Sequence, residues 1–102
     1  MFIFSPHKRI HLVFSGHVQS IGFRQTALIT ARSLRLTGWV KNLDSGQVEI
    51  LAEGNPKSIF KFIEKIDKSF SDNIDVMEIE WLRATGEFKK FDILQNVIIP
   101  NR

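Results

Sequence analysis

Gly16-His17-Val18-Gln19-Ser20-Ile21-Gly22-Phe23-Arg24 is the stretch on which the reading of this chain turns. Before it, Ile10, Leu12 and Phe14 alternate with His11 and Val13, the period of a strand with one strongly apolar face. After it, Phe23, Ala27, Ala31 and Leu34 recur at helical spacing, which predicts a helix from about Phe23 to Leu34. The stretch is thus the connection from a first strand to a first helix. A glycine-bounded loop in that place, ending in an arginine, is suited to a phosphate. Backbone N–H groups between Gly16 and Phe23 turn toward the oxygens. The helix N-terminus adds partial positive charge, and Arg24 supplies a planar, permanently charged fork.

Working outward, Leu36 to Asn42 reads as a second strand, with Leu36 and Val40 on one face and Trp39 and Lys41 on the other. Leu43-Asp44-Ser45-Gly46 has turn composition, and Val48, Ile50 and Ala52 alternate with Glu49, Leu51 and Glu53 in a third strand, so the pair forms a hairpin. Gly54-Asn55-Pro56 announces a second helix, Asn55 as its N-cap and Pro56 at its first position. Ile59, Phe62, Ile63, Ile66 and Phe70 give that helix its apolar side. Ser71-Asp72-Asn73 breaks it, Met77, Ile79 and Trp81 mark a fourth strand, and Phe91-Asp92-Ile93 a last short one. The order is βαββαβ plus a C-terminal strand. This predicts an α+β, ferredoxin-like split βαβ sandwich, an antiparallel sheet with two helices on one face. All nine phenylalanines are expected in the core.

Two motifs carry a resemblance. The loop resembles the acylphosphatase signature G-x-V-Q-G-V-G-F-R, and Gly38-Trp39-Val40-Lys41-Asn42 is similar to the G-W-V-x-N strand of that family. Their order and separation match as well, and the likeness runs from Ile10 to the last strand. It implies the same ferredoxin-like fold and hydrolysis of acyl phosphates without a cofactor or metal. It also implies site residues. Arg24 would hold the substrate phosphate together with the loop Gly16, His17, Val18, Gln19, Ser20, Ile21, Gly22 and Phe23, and Asn42 would orient the attacking water. Inorganic phosphate would then be both product and inhibitor. Two positions depart from the pattern: Ile21 conservatively replaces valine, and Ser20 stands where the family has glycine. If that position requires positive φ, serine costs on the order of 1 kcal/mol. The loop is nonetheless expected to work, because Arg24 and Asn42 are both present.

Composition narrows the rest. A chain of 102 residues, 43% hydrophobic, is expected to be one domain, residues 1–102, with a single packed core. The absence of cysteine excludes disulfide scaffolds and thiol nucleophiles. The apolar start Met1-Phe2-Ile3-Phe4 is too short for a secretory signal and no run is long enough to span a membrane, so a cytoplasmic monomer is the expectation. A net charge of +3, with Lys8-Arg9 and Lys89-Lys90 as the only basic doublets, gives no nucleic-acid footprint. His7 and His11 have a metal-ligand spacing only on a helix, and no second cluster completes a site, so no metal is expected. Trp39 reads as a packed strand aromatic or part of a pocket wall, and His17 as an exposed residue lending its backbone. The competing expectation is a non-catalytic module of the same fold that binds an anion or RNA. RNA binding on the sheet would need paired aromatics in a K/R-G-F/Y-type motif, which the chain lacks.

Overall fold

The alternation around Ile10 becomes strand β1 (Lys8–Gly16) in the computed structural model, which describes residues 6–95. Met1 to Ser5, with Phe2 and Phe4, lie outside the described residues. Next come α1 (Phe23–Ser33), β2 (Thr37–Asn42), β3 (Val48–Gly54), α2 (Pro56–Phe70), β4 (Ile74–Arg83) and β5 (Phe91–Ile93). The strands form one sheet in the order β4-β1-β3-β2-β5. β1 is antiparallel to both of its neighbours, and β2 is antiparallel to β3. β5 pairs parallel to β2, Gly38 opposite Phe91 and Val40 opposite Ile93, so the sheet is mixed at that edge. A three-residue apolar pattern identifies a strand but carries no direction, which is why this pairing is absent from the pattern.

Register decides which side chains meet. Ile10, Leu12 and Phe14 lie across from Ala52, Ile50 and Val48, and all six are fully buried on one face of the sheet. Phe23, Ala27 and Ala31 from α1, with Ile59, Phe62 and Ile66 from α2, close over that face. Each large side chain removed from water here contributes about 1.5–3 kcal/mol, which is what holds the two layers together. α2 begins as its sequence dictates: Asn55 Oδ1 accepts the Lys57 N–H at 2.9 Å, and Pro56 fills a position whose N–H would have had no partner.

The expectation that every phenylalanine is core fails at Phe60, which is 62% exposed. It packs on the outside against Trp81 with the rings tilted at 49°, ring centres 5.4 Å apart. β4 is an edge strand, so Trp81 and Ile79, although on the same face as Ile10 and Leu12, run beyond the cover of the helices and stay 42% and 47% exposed. Phe88 is half-buried beneath the Arg9 guanidinium.

Glu53 is the buried charge of the sheet, 3% exposed. It accepts hydrogen bonds from the backbone N–H of Thr85 and of Gly86, both at 2.9 Å, from the Thr85 hydroxyl at 3.0 Å and from Arg9 Nε at 2.6 Å. Burial by itself raises a carboxyl pKa. The N–H groups of Thr85 and Gly86, then Arg9 and the Thr85 hydroxyl, outweigh it and hold Glu53 down to about 2. Its folded pKa lies below its unfolded value, so its stabilisation is present at neutral pH and is lost as pH falls toward 2. In melts between neutral pH and pH 2, the protein is expected to lose on the order of 2–3 kcal/mol from this group. Glu53→Gln should be less stable at neutral pH and should lack that part of the acid slope.

Candidate active site

The β1–α1 loop is shaped by backbone that L-residues rarely adopt. Gly16 ends β1 at φ 126°, and a Cβ there would lie 2.3 Å from the Asn73 carbonyl oxygen, so only glycine lets β1 approach the start of β4 this closely. Gly22 caps α1 at φ 82° and provides no side-chain cap. The first helical bond runs from the Thr26 N–H to the Gly22 carbonyl. Among the described residues, no backbone N–H from Val18 to Gln25 donates to a protein acceptor. The positive end of α1 is therefore left uncompensated, with no acidic residue in its first turn. Phe23 anchors this end, packed edge-on to Phe14 at 4.9 Å and stacked on Phe70 at 4.7 Å.

A cavity of about 240 Å³ opens beside the helix end, with Val18, Ser20, Gly22, Phe23 and Arg24 on one side of it and Asn42 on another. Arg24 is half-buried and, among the described residues, forms no ion pair or side-chain hydrogen bond. Asn42 ends β2, opposite Val48. Its Oδ1 is buried and accepts no hydrogen bond from the protein. An unsatisfied buried acceptor costs about 1–3 kcal/mol, so a polar atom left this way in a pocket is a mark of a binding site.

The structure therefore brings Arg24 and Asn42 to one cavity together with Val18, Ser20, Gly22 and Phe23. It does not bring Gly16, His17, Gln19 or Ile21 to its wall. The expectation that His17 lends its backbone is corrected, because its N–H is bonded to the Asn73 carbonyl at 2.9 Å. Ile21 packs on the core, and the Gln19 amide reaches the turn between β2 and β3. Three wall residues were not foreseen: Gln25, Ile93 and Gln95. Gln25 follows Arg24 in the same helical turn and was legible in principle. Ile93 and Gln95 arrive through the parallel β5 pairing, which no local pattern announces.

Trp39 is not part of this wall; it lies on the helix-free face with Lys41 Nζ 5.0 Å from its ring centre. On that face His11 Nε2 also sits 2.6 Å from Glu49 Oε2. Among the described residues, no group of three His, Asp or Glu is placed to hold a metal ion. A larger groove of about 520 Å³ runs past His7, Phe60, Trp81 and Arg83 and shares no residue with the cavity.

Ser20 has φ 64°, so the position is left-handed and serine carries the strain. A φ of 64° lies within the left-handed region that non-glycine residues can occupy at a cost. Ser20→Gly should raise stability by roughly 0.5–1 kcal/mol, partly offset by the freer unfolded chain, and Tm by a few degrees. Turnover should change by less than about tenfold, read from parallel melts and rate assays.

Comparison with known proteins bears on the family and the overall fold. The family model described as Acylphosphatase matches residues 10–93. An acylphosphatase of Caldanaerobacter subterraneus subsp. tengcongensis is 39% identical over 87 residues, covering 84% of this chain and 97% of that protein. One from Methylococcus capsulatus is 34% identical over 91 residues, covering 88% and 99%. Among solved structures, the acylphosphatase from Bacillus subtilis superposes with a TM-score of 0.77 at 29% identity, covering 85% of this chain and 98% of that one.

Proposed function

Since the chain belongs to the acylphosphatase family, we propose that its reaction takes place in the cavity between the β1–α1 loop and Asn42. The enzyme hydrolyses the carboxyl–phosphate bond of acyl phosphates, giving a carboxylate and phosphate. An acyl phosphate is an activated anhydride whose leaving group is a stable carboxylate. Positioning and charge stabilisation supply what remains of the catalysis.

Arg24 forks onto two phosphate oxygens, and N–H groups of the loop and of the first turn of α1 take the others. Asn42 Oδ1 accepts a hydrogen bond from a water and aims its oxygen at phosphorus, opposite the bond to the acyl oxygen. The water oxygen–phosphorus bond forms as the phosphorus–acyl oxygen bond breaks. The electron pair of that bond leaves on the carboxylate, and the water's proton passes to a phosphate oxygen. No step calls for a metal or a side-chain base. The observation that carries this reading is the Asn42 Oδ1, an acceptor buried without a partner in the cavity that holds Arg24.

The phosphate product keeps the group that the cradle grips, so it competes with substrate. We further propose that residues 1–102 act as one domain and as a monomer. The enzyme works in the cytoplasm.

Direct attack on phosphorus is tested with benzoyl phosphate in water labelled with heavy oxygen, chelator present. Label found in the phosphate is the expected result. Label in the benzoate would mean attack on the carbonyl carbon and would remove the role given to Asn42.

A further inference from the structure

We propose that Gln19 is a positioning residue whose amide clamps the β2–β3 turn to the phosphate loop and so holds Asn42 in place relative to Arg24. The inference rests on the roles proposed above for those two residues. Gln19 sits between Val18 and Ser20, which both line the cavity, while its own side chain leaves in the other direction. Its Nε2 donates to the main-chain carbonyls of Leu43 at 2.8 Å and Gln47 at 2.9 Å.

Those carbonyls are the two that close the turn. The Gln47 oxygen also accepts the Leu43 N–H at 2.8 Å, and the Leu43 oxygen accepts the Gly46 N–H at 3.0 Å. Each therefore offers Gln19 its second lone pair. Leu43 and Gln47 flank the Asn42–Val48 pair directly, so the clamp grips both arms of the hairpin one residue past Asn42. A second strap runs alongside: Gln47 Nε2 donates to Ser15 Oγ at 2.9 Å, and Ser45 Oγ donates to Gln47 Oε1 at 2.8 Å. The tip of the turn, Asp44 to Gly46, is otherwise exposed.

The chemistry calls for an amide. Two carbonyl acceptors require one group with two N–H donors, which glutamine provides without charge. Leucine keeps the bulk and removes the donors. Glutamate sets acceptors against acceptors and adds a negative charge beside an anion site.

The test measures kcat and phosphate inhibition with benzoyl phosphate for Gln19→Leu, Gln19→Glu, Asn42→Ala and the Gln19→Leu/Asn42→Ala pair. Folding of each is checked by circular dichroism. A loosened Asn42 should lower kcat in Gln19→Leu by about tenfold or more, since misplacement by about 1 Å costs that much or greater. Phosphate inhibition should stay within about threefold, because Arg24 and the loop amides are untouched. In the pair, the Gln19 change should add nothing to the loss already caused by Asn42→Ala. Should Gln19→Leu not fold, Gln19→Met, unbranched, uncharged and of similar length, carries the comparison. A wild-type kcat in the Gln19 variants overturns the proposal, as do losses that multiply in the pair. Full kcat in Asn42→Ala itself would instead bring down the assignment of Asn42, and this inference with it.

Discussion

Arg24→Ala is expected to lower kcat/KM for benzoyl phosphate by about 10³-fold or more and to abolish inhibition by phosphate. Among the described residues, the guanidinium is the only side-chain cation on the wall of the cavity. It is held half-buried at the second position of α1. In such a place a bidentate, charge-assisted contact is shielded from bulk water and contributes far more than at an open surface. Arg24 forms no ion pair among the described residues, so its removal leaves no acidic partner stranded. Stability should therefore stay within about 0.5 kcal/mol of the parent, which separates lost function from lost fold. Arg24→Lys keeps the charge but not the fork, and should recover only part of the loss. An Arg24→Ala variant that still binds phosphate with parental affinity would show that the loop amides suffice and that the arginine is a surface group.

Asn42→Ala should separate binding from turnover. The side chain is assigned to the water, not to the phosphate, so kcat should fall by about 10²-fold or more while phosphate inhibition changes less than about twofold. The stability effect has an unusual sign. Truncation removes a buried oxygen that accepts no bond from the protein, so the variant should be no less stable than the parent and is expected to melt slightly higher. A variant that is firmer and inactive is the signature of a group retained for chemistry. Lost phosphate affinity in Asn42→Ala would contradict the division of roles.

Local signals made much of this legible. The alternation through Phe14 and the spacing from Phe23 to Ala31 placed the loop between a strand and a helix, and that is where it lies. Asn55-Pro56 announced α2 because capping is settled by neighbouring residues alone. Arg24 and Asn42, read as site residues from the two motifs, do share one cavity. What escaped the sequence depends on contacts between distant segments. The Gly16 and His17 backbone is taken up by Asn73, at the start of β4, and no pattern in the loop tells of that neighbour. Ile93 and Gln95 join the cavity wall because β5 docks parallel to β2. Phe60 falls outside the apolar spacing of Ile59, Phe62, Ile66 and Phe70 on its helix, and periodicity does not say how far the opposing layer extends. At the β4 edge that layer ends. Ser20 lay between these cases: whether glycine's freedom was needed could be asked of the sequence, and only the φ of 64° answers it.

The most direct measurement is a crystal structure of the protein grown with phosphate. The account predicts the ion in the cavity beside Ser20 and Gly22, with the Arg24 guanidinium and loop N–H groups about 2.7–3.2 Å from its oxygens. It predicts a water on Asn42 Oδ1 facing the phosphorus. Phosphate absent from that cavity and held elsewhere, for instance in the groove between His7 and Arg83, would contradict the account.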